Sequence, residues 1–275
     1  MEKRNWINGT SDIMFKTILR NNRKYLSFIV SEITKIPEDI IYNNLKYSPV
    51  EFTISNKQEK KKISDLIIEL DMHLINLEMN KKMNESIKNR NNLYLDKINV
   101  EQYKENKDYK NGKKVIQINF NEKLYDGDKI IYKFKMMEED LKISYEDNKE
   151  IYIVDLEKIK MKCYNGLEMN EIEKALSILI SRNKEEALKI SKGNDMLEEV
   201  YKNMEELNMN EVFLGMYDQE EENKKMMNSM KLEGLETGEK NKSIEIAKNL
   251  IELNISIDDI IKATGLTKEE IENLK

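Results

Sequence analysis

Near the N-terminus, apolar residues recur at the spacing of a helix. Within residues 8–34, Thr10 and Ser11 are candidate N-caps. The apolar positions that follow them are Ile13, Phe15, Ile18, Leu19, Leu26, Ile29 and Val30. This pattern predicts either one helix or two helices separated near Asn21 and Asn22.

The next part of the chain has runs of β type instead. They are EFTIS (51–55), ISDLIIEL (63–70), HLINLEM (73–79), KVIQINF (114–120), KIIYKFKM (129–136) and EIYIVDL (150–156). The second and third runs are close enough to form a hairpin through Asp71 and Met72. A polar helix is expected from Asn84 to about Asn106, between the third and fourth runs. These patterns predict an α/β fold.

After about residue 166 the strand patterns stop and helical periodicity takes over. A long polar helix is expected over 220–253, followed by a terminal helical hairpin. Ser256 with Asp259 and Thr267 with Glu270 fit two capping boxes, and Gly265 ends the first helix of the hairpin. We therefore predict a core over 1–165, a helical extension over 166–220, and the long helix with its hairpin over 221–275.

Composition excludes several classes of chemistry. The single Cys163 allows neither an internal disulfide nor a cysteine zinc cluster, and His73 is the only histidine. Mechanisms that need a histidine base or a histidine-rich zinc site are therefore excluded. Because the sequence has neither a signal peptide nor a run of roughly 20 apolar residues, we expect a soluble, cytoplasmic protein without membrane contact.

The net charge of −6 is unevenly distributed. Residues 1–135 carry a net charge of +7, and residues 136–275 carry −13. A basic front half fits a domain that contacts phosphates, although a solvated surface with uneven charge explains the same numbers.

Three polar residues stand inside the apolar hairpin runs. Asp65 lies near the start of the first run, and Glu78 and Asn80 lie at the end of the second. Period-2 alternation places Glu78 and Asn80 on one face of the sheet, where Asp65 can join them. Burying a carboxylate costs several kcal/mol unless something compensates its charge, and a bound Mg²⁺ or Mn²⁺ would do so.

The chain resembles the Rpn family of recombination-promoting nucleases and transposases, within the PD-(D/E)XK nuclease superfamily. The segments that carry the resemblance are SDIMFKTIL (11–19), SDLIIELDMHLINLEMN (64–80), NRNNLYLDK (89–97), YKNGKKVIQINF (109–120) and the Gly-punctuated helix with its terminal hairpin. The resemblance implies a restriction-endonuclease-like core, a central mixed sheet flanked by helices, followed by an all-helical C-terminal region. It also implies DNA as substrate and Mg²⁺ or Mn²⁺ as cofactor.

By the same resemblance, Asp65 and Glu78 are metal ligands, and Asn80 takes the position of the superfamily's catalytic Lys. The Rpn family usually has Gln at this position. Asn80 is one methylene shorter than Gln and lacks the charge of Lys. Lys82 can substitute only if the strand extends that far, since Lys81 faces the other side.

Four further residues are accessory candidates, each with a structural alternative. Asp12 is either an additional acid of the site or a first-turn acid that favours the helix dipole. Lys16 either contacts phosphate or, as is common for a helix lysine, faces solvent. Arg90 and Tyr94 share a helix face, and either brace the site, contact DNA or form a structural pair.

The leading interpretation is a Mg²⁺-dependent DNA endonuclease whose cuts promote recombination or the mobility of an element. One alternative is a catalytically degenerate relative that binds nucleic acid or protein. Another is a helical interaction protein whose acidic C-terminal half is the functional part. The hairpin over 256–275 has a net charge of −2, which disfavours DNA recognition and favours a protein partner or a homo-oligomer.

Overall fold

A computed structural model of the protein describes residues 5–48, 65–80, 84–103, 109–121, 129–145 and 148–274. The strand predicted over 51–55 lies outside these ranges. None of the helices within them combines the length and apolar composition needed to cross a membrane.

Three helices open the chain: α1 (Asp12–Asn21), α2 (Arg23–Thr34) and α3 (Glu38–Asn44). The hydroxyl of Ser11 accepts a hydrogen bond from the backbone N–H of Met14, so Ser11 is the N-cap of α1. Asn22 has non-helical dihedral angles and separates α1 from α2. The prediction of a single helix is wrong, and the alternative of two helices separated near Asn21 and Asn22 is confirmed.

Six strands form one mixed sheet. They are β1 (Lys46–Tyr47), β2 (Leu66–Glu69), β3 (His73–Asn80), β4 (Lys114–Asn121), β5 (Ile131–Phe134) and β6 (Lys149–Asp155). Their order in the sheet is β1-β2-β3-β4-β6-β5. The pairs β3–β4 and β4–β6 are parallel, and the other neighbours are antiparallel. The predicted hairpin is present, as are the strands predicted near 114, 129 and 150.

Helix α4 (Glu85–Glu101) connects the parallel strands β3 and β4. It begins at Asn84, whose side chain accepts from the N–H of Ile87. A parallel pair requires such a crossover, and α4 packs on one face of the sheet as it returns.

The opposite face of the sheet is apolar at its centre and packs against the first helices. Met79 pairs with Phe120 across β3 and β4, and the rings of Phe120 and Phe15 meet edge to face with centroids 5.3 Å apart. Phe15 and Phe120 are both fully buried. This face carries the main hydrophobic core.

The rest of the described chain is helical. The helices are α5 (Leu156–Tyr164), α6 (Glu171–Ser177), α7 (Lys184–Ser191), α8 (Asp195–Met209), α9 (Glu211–Glu252), α10 (Ile257–Thr264) and α11 (Lys268–Glu272). The mixed sheet, its flanking helices and the helical C-terminal region confirm the predicted fold class. The long helix begins at Glu211, nine residues before the predicted start.

The chain forms two compact units, Met1–Asn210 and Glu211–Lys275. In the second unit, Ala247 of α9 packs with Ile260, Leu266 and Ile271 of the terminal hairpin. The capping box of Thr267 and Glu270 is present. Ser256 also caps its helix, because its hydroxyl oxygen accepts from the backbone N–H of Asp259. The Asp259 carboxylate accepts from the hydroxyl of Ser256, whereas in a capping box it would accept from the backbone N–H of Ser256. The first hydrogen bond of the predicted capping box is therefore formed and the second is replaced. The three-part division of the chain stays a prediction.

Replacing Phe15 by Ala is expected to lower the free energy of unfolding by about 3–5 kcal/mol, because it leaves a cavity beside Phe120. Phe134, which is 41% exposed on β5, is the matched control. The change Phe134→Ala should cost less than about 1 kcal/mol. Urea denaturation measures both values, and similar losses for the two variants would contradict this assignment of the core.

Candidate active site

Asp65 and Glu78 lie beside each other at one end of the β2–β3 hairpin. The register pairs Leu66 with Leu77, so Asp65 is directly opposite Glu78. The backbone N–H of Asp65 donates to Glu78 Oε1 at 3.2 Å. In return, the backbone N–H of Met79 donates to Asp65 Oδ2 at 2.9 Å. Each carboxylate is therefore held by the main chain of the other strand.

Both acids are largely removed from solvent. Glu78 is 3% exposed, and its Oε1 also accepts from Asn76 Nδ2 at 3.3 Å. The side chain of Asp65 is 15% exposed, and the ammonium nitrogen of Lys16 lies 2.8 Å from its Oδ1. The expectation that Lys16 faces solvent is wrong, since its side chain is only 17% exposed. A buried carboxylate requires compensation, and Lys16 supplies it to Asp65.

Asp12 occupies the first turn of α1, where the helix dipole favours an acid. It precedes Lys16 by four residues, so the two side chains lie on the same face of α1. This position is consistent with both interpretations of Asp12. Lys82, the alternative cation, lies outside the described residues.

Arg90 reaches the site from α4. Its Nη2 donates to Asn80 Oδ1 at 2.5 Å, and its guanidinium carbon lies 5.5 Å from the centre of the Tyr94 ring. A guanidinium group only donates hydrogen bonds, so this contact fixes the orientation of the Asn80 amide. The contact of Arg90 with the Tyr94 ring agrees with a structural pair, which is one of the alternatives, and Arg90 also braces Asn80.

The electrostatics of Tyr94 connect it to the two acids. Burial raises the pKa of the Tyr94 hydroxyl above its usual value of 10, while the charge of Arg90 opposes the shift. The negative charges of Glu78 and Asp65 raise the pKa of Tyr94 further. Tyr94 is therefore within the field of both carboxylates.

A ladder of buried polar side chains continues from the acids across the sheet. Parallel register pairs Asn76 with Gln117, Glu78 with Asn119 and Asn80 with Asn121. All six residues are at most 3% exposed. We call them the polar ladder.

Asn119 connects the polar ladder to α4. Its Oδ1 accepts from Asn91 Nδ2 at 2.9 Å and from Gln117 Nε2 at 3.0 Å. These amides are not among the residues predicted from the sequence, although every second position from Gln117 to Asn121 is an amide. This alternation is the pattern that predicts a polar face on the strand.

The donor set fits a magnesium-type ion better than zinc. Within the described ranges, no group of three or more His, Cys, Asp or Glu side chains is arranged to hold a metal. Mg²⁺ commonly uses one or two carboxylates and takes its other ligands from water and substrate phosphates. The two carboxylates of Asp65 and Glu78, on neighbouring strands, match this requirement, and Lys16 would compete with the ion for Asp65.

Comparison with protein families matches residues 10–234 to the model described as PD-(D/E)XK nuclease family transposase. The match extends from before α1 through the whole sheet and into α9. No curated protein and no solved structure gives a match.

Replacing Lys16 by Met is expected to lower the free energy of unfolding by about 1–3 kcal/mol, because Asp65 would keep its burial and lose its ammonium partner. Lys24, exposed on α2, is the control, and Lys24→Met should change stability by less than about 0.5 kcal/mol. Thermal and urea unfolding measure the difference. Equal stability of the two variants would show that the contact between Lys16 and Asp65 contributes nothing.

Proposed function

The chain belongs to the family of PD-(D/E)XK nuclease transposases, and on this basis we propose that it is a Mg²⁺-dependent DNA endonuclease. Membership indicates a nuclease-type function. Asp65 and Glu78 are the proposed metal ligands. The observation that supports this most strongly is the pair of crossed hydrogen bonds that hold the two carboxylates side by side.

Asp65 and Glu78 would hold Mg²⁺ or Mn²⁺ through their carboxylate oxygens. When bound, such an ion polarises a phosphodiester and lowers the pKa of a coordinated water. Burial of Glu78 adds to the effect, since interactions between charges are stronger where water is excluded. The low exposure of Glu78 thus serves the proposed chemistry.

Asn80 is proposed to position a reactant. Arg90 holds its Oδ1, so its Nδ2 is left to donate to a phosphate oxygen or to the attacking water. Asn80 cannot supply the positive charge that a Lys would bring to this position. Arg90, which donates a hydrogen bond to Asn80, supplies a positive charge beside this position. We propose that this charge stabilises the negative charge on the phosphate.

Lys16 is proposed to have two successive roles. It neutralises Asp65 when no metal ion is bound. When Asp65 holds a divalent ion, the ammonium group of Lys16 would leave this carboxylate and contact a DNA phosphate. The substrate is DNA in this proposal, in agreement with the net charge of +7 on residues 1–135. Breaks made in this way would promote recombination or the movement of an element.

The changes Asp65→Asn and Glu78→Gln should each reduce Mg²⁺-dependent nicking of a supercoiled plasmid by about 100-fold or more, because each removes a charged ligand. Asp71 is the matched control, since it is an exposed acid in the turn of the same hairpin. Asp71→Asn should nick at the wild-type rate. Chelation of divalent ions should abolish the activity of the wild type.

Two results would contradict the proposal. One is nicking that survives in both Asp65→Asn and Glu78→Gln across a metal titration. The other is an equal loss in Asp71→Asn, which would trace the effect to the fold of the hairpin instead of the two ligands.

A catalytically degenerate nucleic-acid-binding protein is the second candidate, and Asn80 is the observation that favours it. An amide replaces the superfamily's Lys, and Arg90 already engages its oxygen. In this case the carboxylate pair would remain while cleavage is lost.

Asn80 variants separate the two candidates in the plasmid assay. If the protein is an active nuclease, Asn80→Ala should nick about tenfold more slowly or worse, and Asn80→Gln should keep most of the activity. If the protein is degenerate, the wild type should bind DNA without nicking it, and Asn80→Gln should gain activity. Unchanged nicking in Asn80→Ala would remove Asn80 from the proposed machinery.

A further inference from the structure

We propose that Asn121, at the end of β4, is a further substrate-binding residue that contacts a phosphate of the DNA strand. The inference rests on the proposed nuclease function and extends the site to β4. Asn121 is the register partner of Asn80 in the parallel β3–β4 pair. The two amides therefore lie side by side on the face that carries Glu78.

The side chain of Asn121 is buried. The residue is fully buried, and neither its Oδ1 nor its Nδ2 has a hydrogen-bond partner in the described part of the chain. A buried amide in this state is destabilising, and native structures contain few of them. Such a group calls for a ligand or another explanation.

Asn119 shows that the same strand can provide partners for both polar atoms of a buried amide. Two residues before Asn121 and on the same face, it accepts from Asn91 and Gln117 and donates to the carbonyl of Tyr152 at 3.5 Å. Gln117 on the same strand lacks a partner only at its Oε1, whereas among the described residues of β4 Asn121 is the amide that lacks one at both its oxygen and its nitrogen.

Two further donors at this end of the sheet lack partners within the described ranges. Asn80 Nδ2 and Arg90 Nε are also buried without partners among the described residues. Two amide N–H₂ groups and one guanidinium N–H, all at the same end of the sheet, suit an anion with several acceptor oxygens. A backbone phosphate of DNA has this chemistry.

Asp155 is the acid next to Asn121 on the other side, paired with it across β4 and β6. Its Oδ1 accepts from the N–H groups of Glu157 and Lys158 at the start of α5, and Lys158 Nζ lies 3.6 Å from its Oδ2. The charge of Asp155 is thus compensated by its own helix. Since Asn121 is fully buried, a phosphate can reach it only after the groups that cover it move.

The rival explanation is an ordered water molecule with a purely structural role, which commonly satisfies buried polar groups. The two explanations differ in what happens when Asn121 is replaced by Leu. Loss of a water site changes stability alone. Loss of a phosphate contact weakens DNA binding, and removal of an unsatisfied amide leaves the unfolding temperature unchanged or higher.

The test uses the full chain and a fluorescein-labelled DNA duplex, with Ca²⁺ replacing Mg²⁺ to slow cleavage. Fluorescence anisotropy should give a Kd for Asn121→Leu about tenfold or more above that of the wild type, the loss expected for a hydrogen bond to a charged group. Asn119→Leu is the matched control. It should lower the unfolding temperature, because Asn91 and Gln117 lose their acceptor, while keeping a Kd within about threefold of the wild type.

Asn121→Asp is the second variant, because it keeps the volume of Asn121 and places a negative charge against the phosphate. It should bind at least as weakly as Asn121→Leu. A Kd within about twofold of the wild type for either folded variant overturns the inference and leaves the water explanation. Absence of metal-dependent nicking by the wild type defeats the proposed function instead. If the wild type nicks DNA and the Asn121 variants keep the wild-type Kd, only the role of Asn121 is defeated.

Discussion

The candidate site depends on the crossed hydrogen bonds between Asp65 and Glu78, in which each carboxylate accepts an N–H from the opposite strand. This arrangement requires one register of the hairpin, which the turn sets where the N–H of Leu70 donates to the carbonyl of His73 at 2.8 Å. A slip of one residue would move Glu78 to the apolar face, where Met79 now lies. The geometry of a short turn thus determines whether two distant acids can share an ion.

The two faces of the sheet divide stability and chemistry between them. Phe120 and its neighbours on the apolar face supply hydrophobic burial against α1. The other face buries the polar ladder, and several of its polar atoms lack partners in the described chain. Unsatisfied groups lower stability, so their concentration around Glu78 is the pattern expected where a site is preorganised for a ligand. The apolar face compensates for this loss.

Local patterns in the sequence predicted the elements of the core and the residues of the hairpin. Period-2 alternation put Glu78 and Asn80 on one face, and the register of β3 has them there. Bracing of the site by Arg90 was one of the alternatives predicted from the sequence, and Arg90 lies only ten residues after Asn80. The contact of Lys16 with Asp65 could not be predicted in this way, because it joins a helix to a residue distant in the sequence. Asn121 was missed for the same reason, since its pairing with Asn80 depends on the crossover through α4. The first stretch of α9, over 211–217, is largely apolar, and it differs in this from the polar helix that the sequence predicts from 220 onwards.

The most direct test of the shared metal site is X-ray diffraction from crystals of the protein soaked in Mn²⁺, recorded at the manganese absorption edge. The anomalous map should show one peak in contact with carboxylate oxygens of both Asp65 and Glu78, and the ammonium group of Lys16 should have moved away from Asp65. A map with no peak between these carboxylates at saturating Mn²⁺, while Lys16 still contacts Asp65, would contradict the central claim.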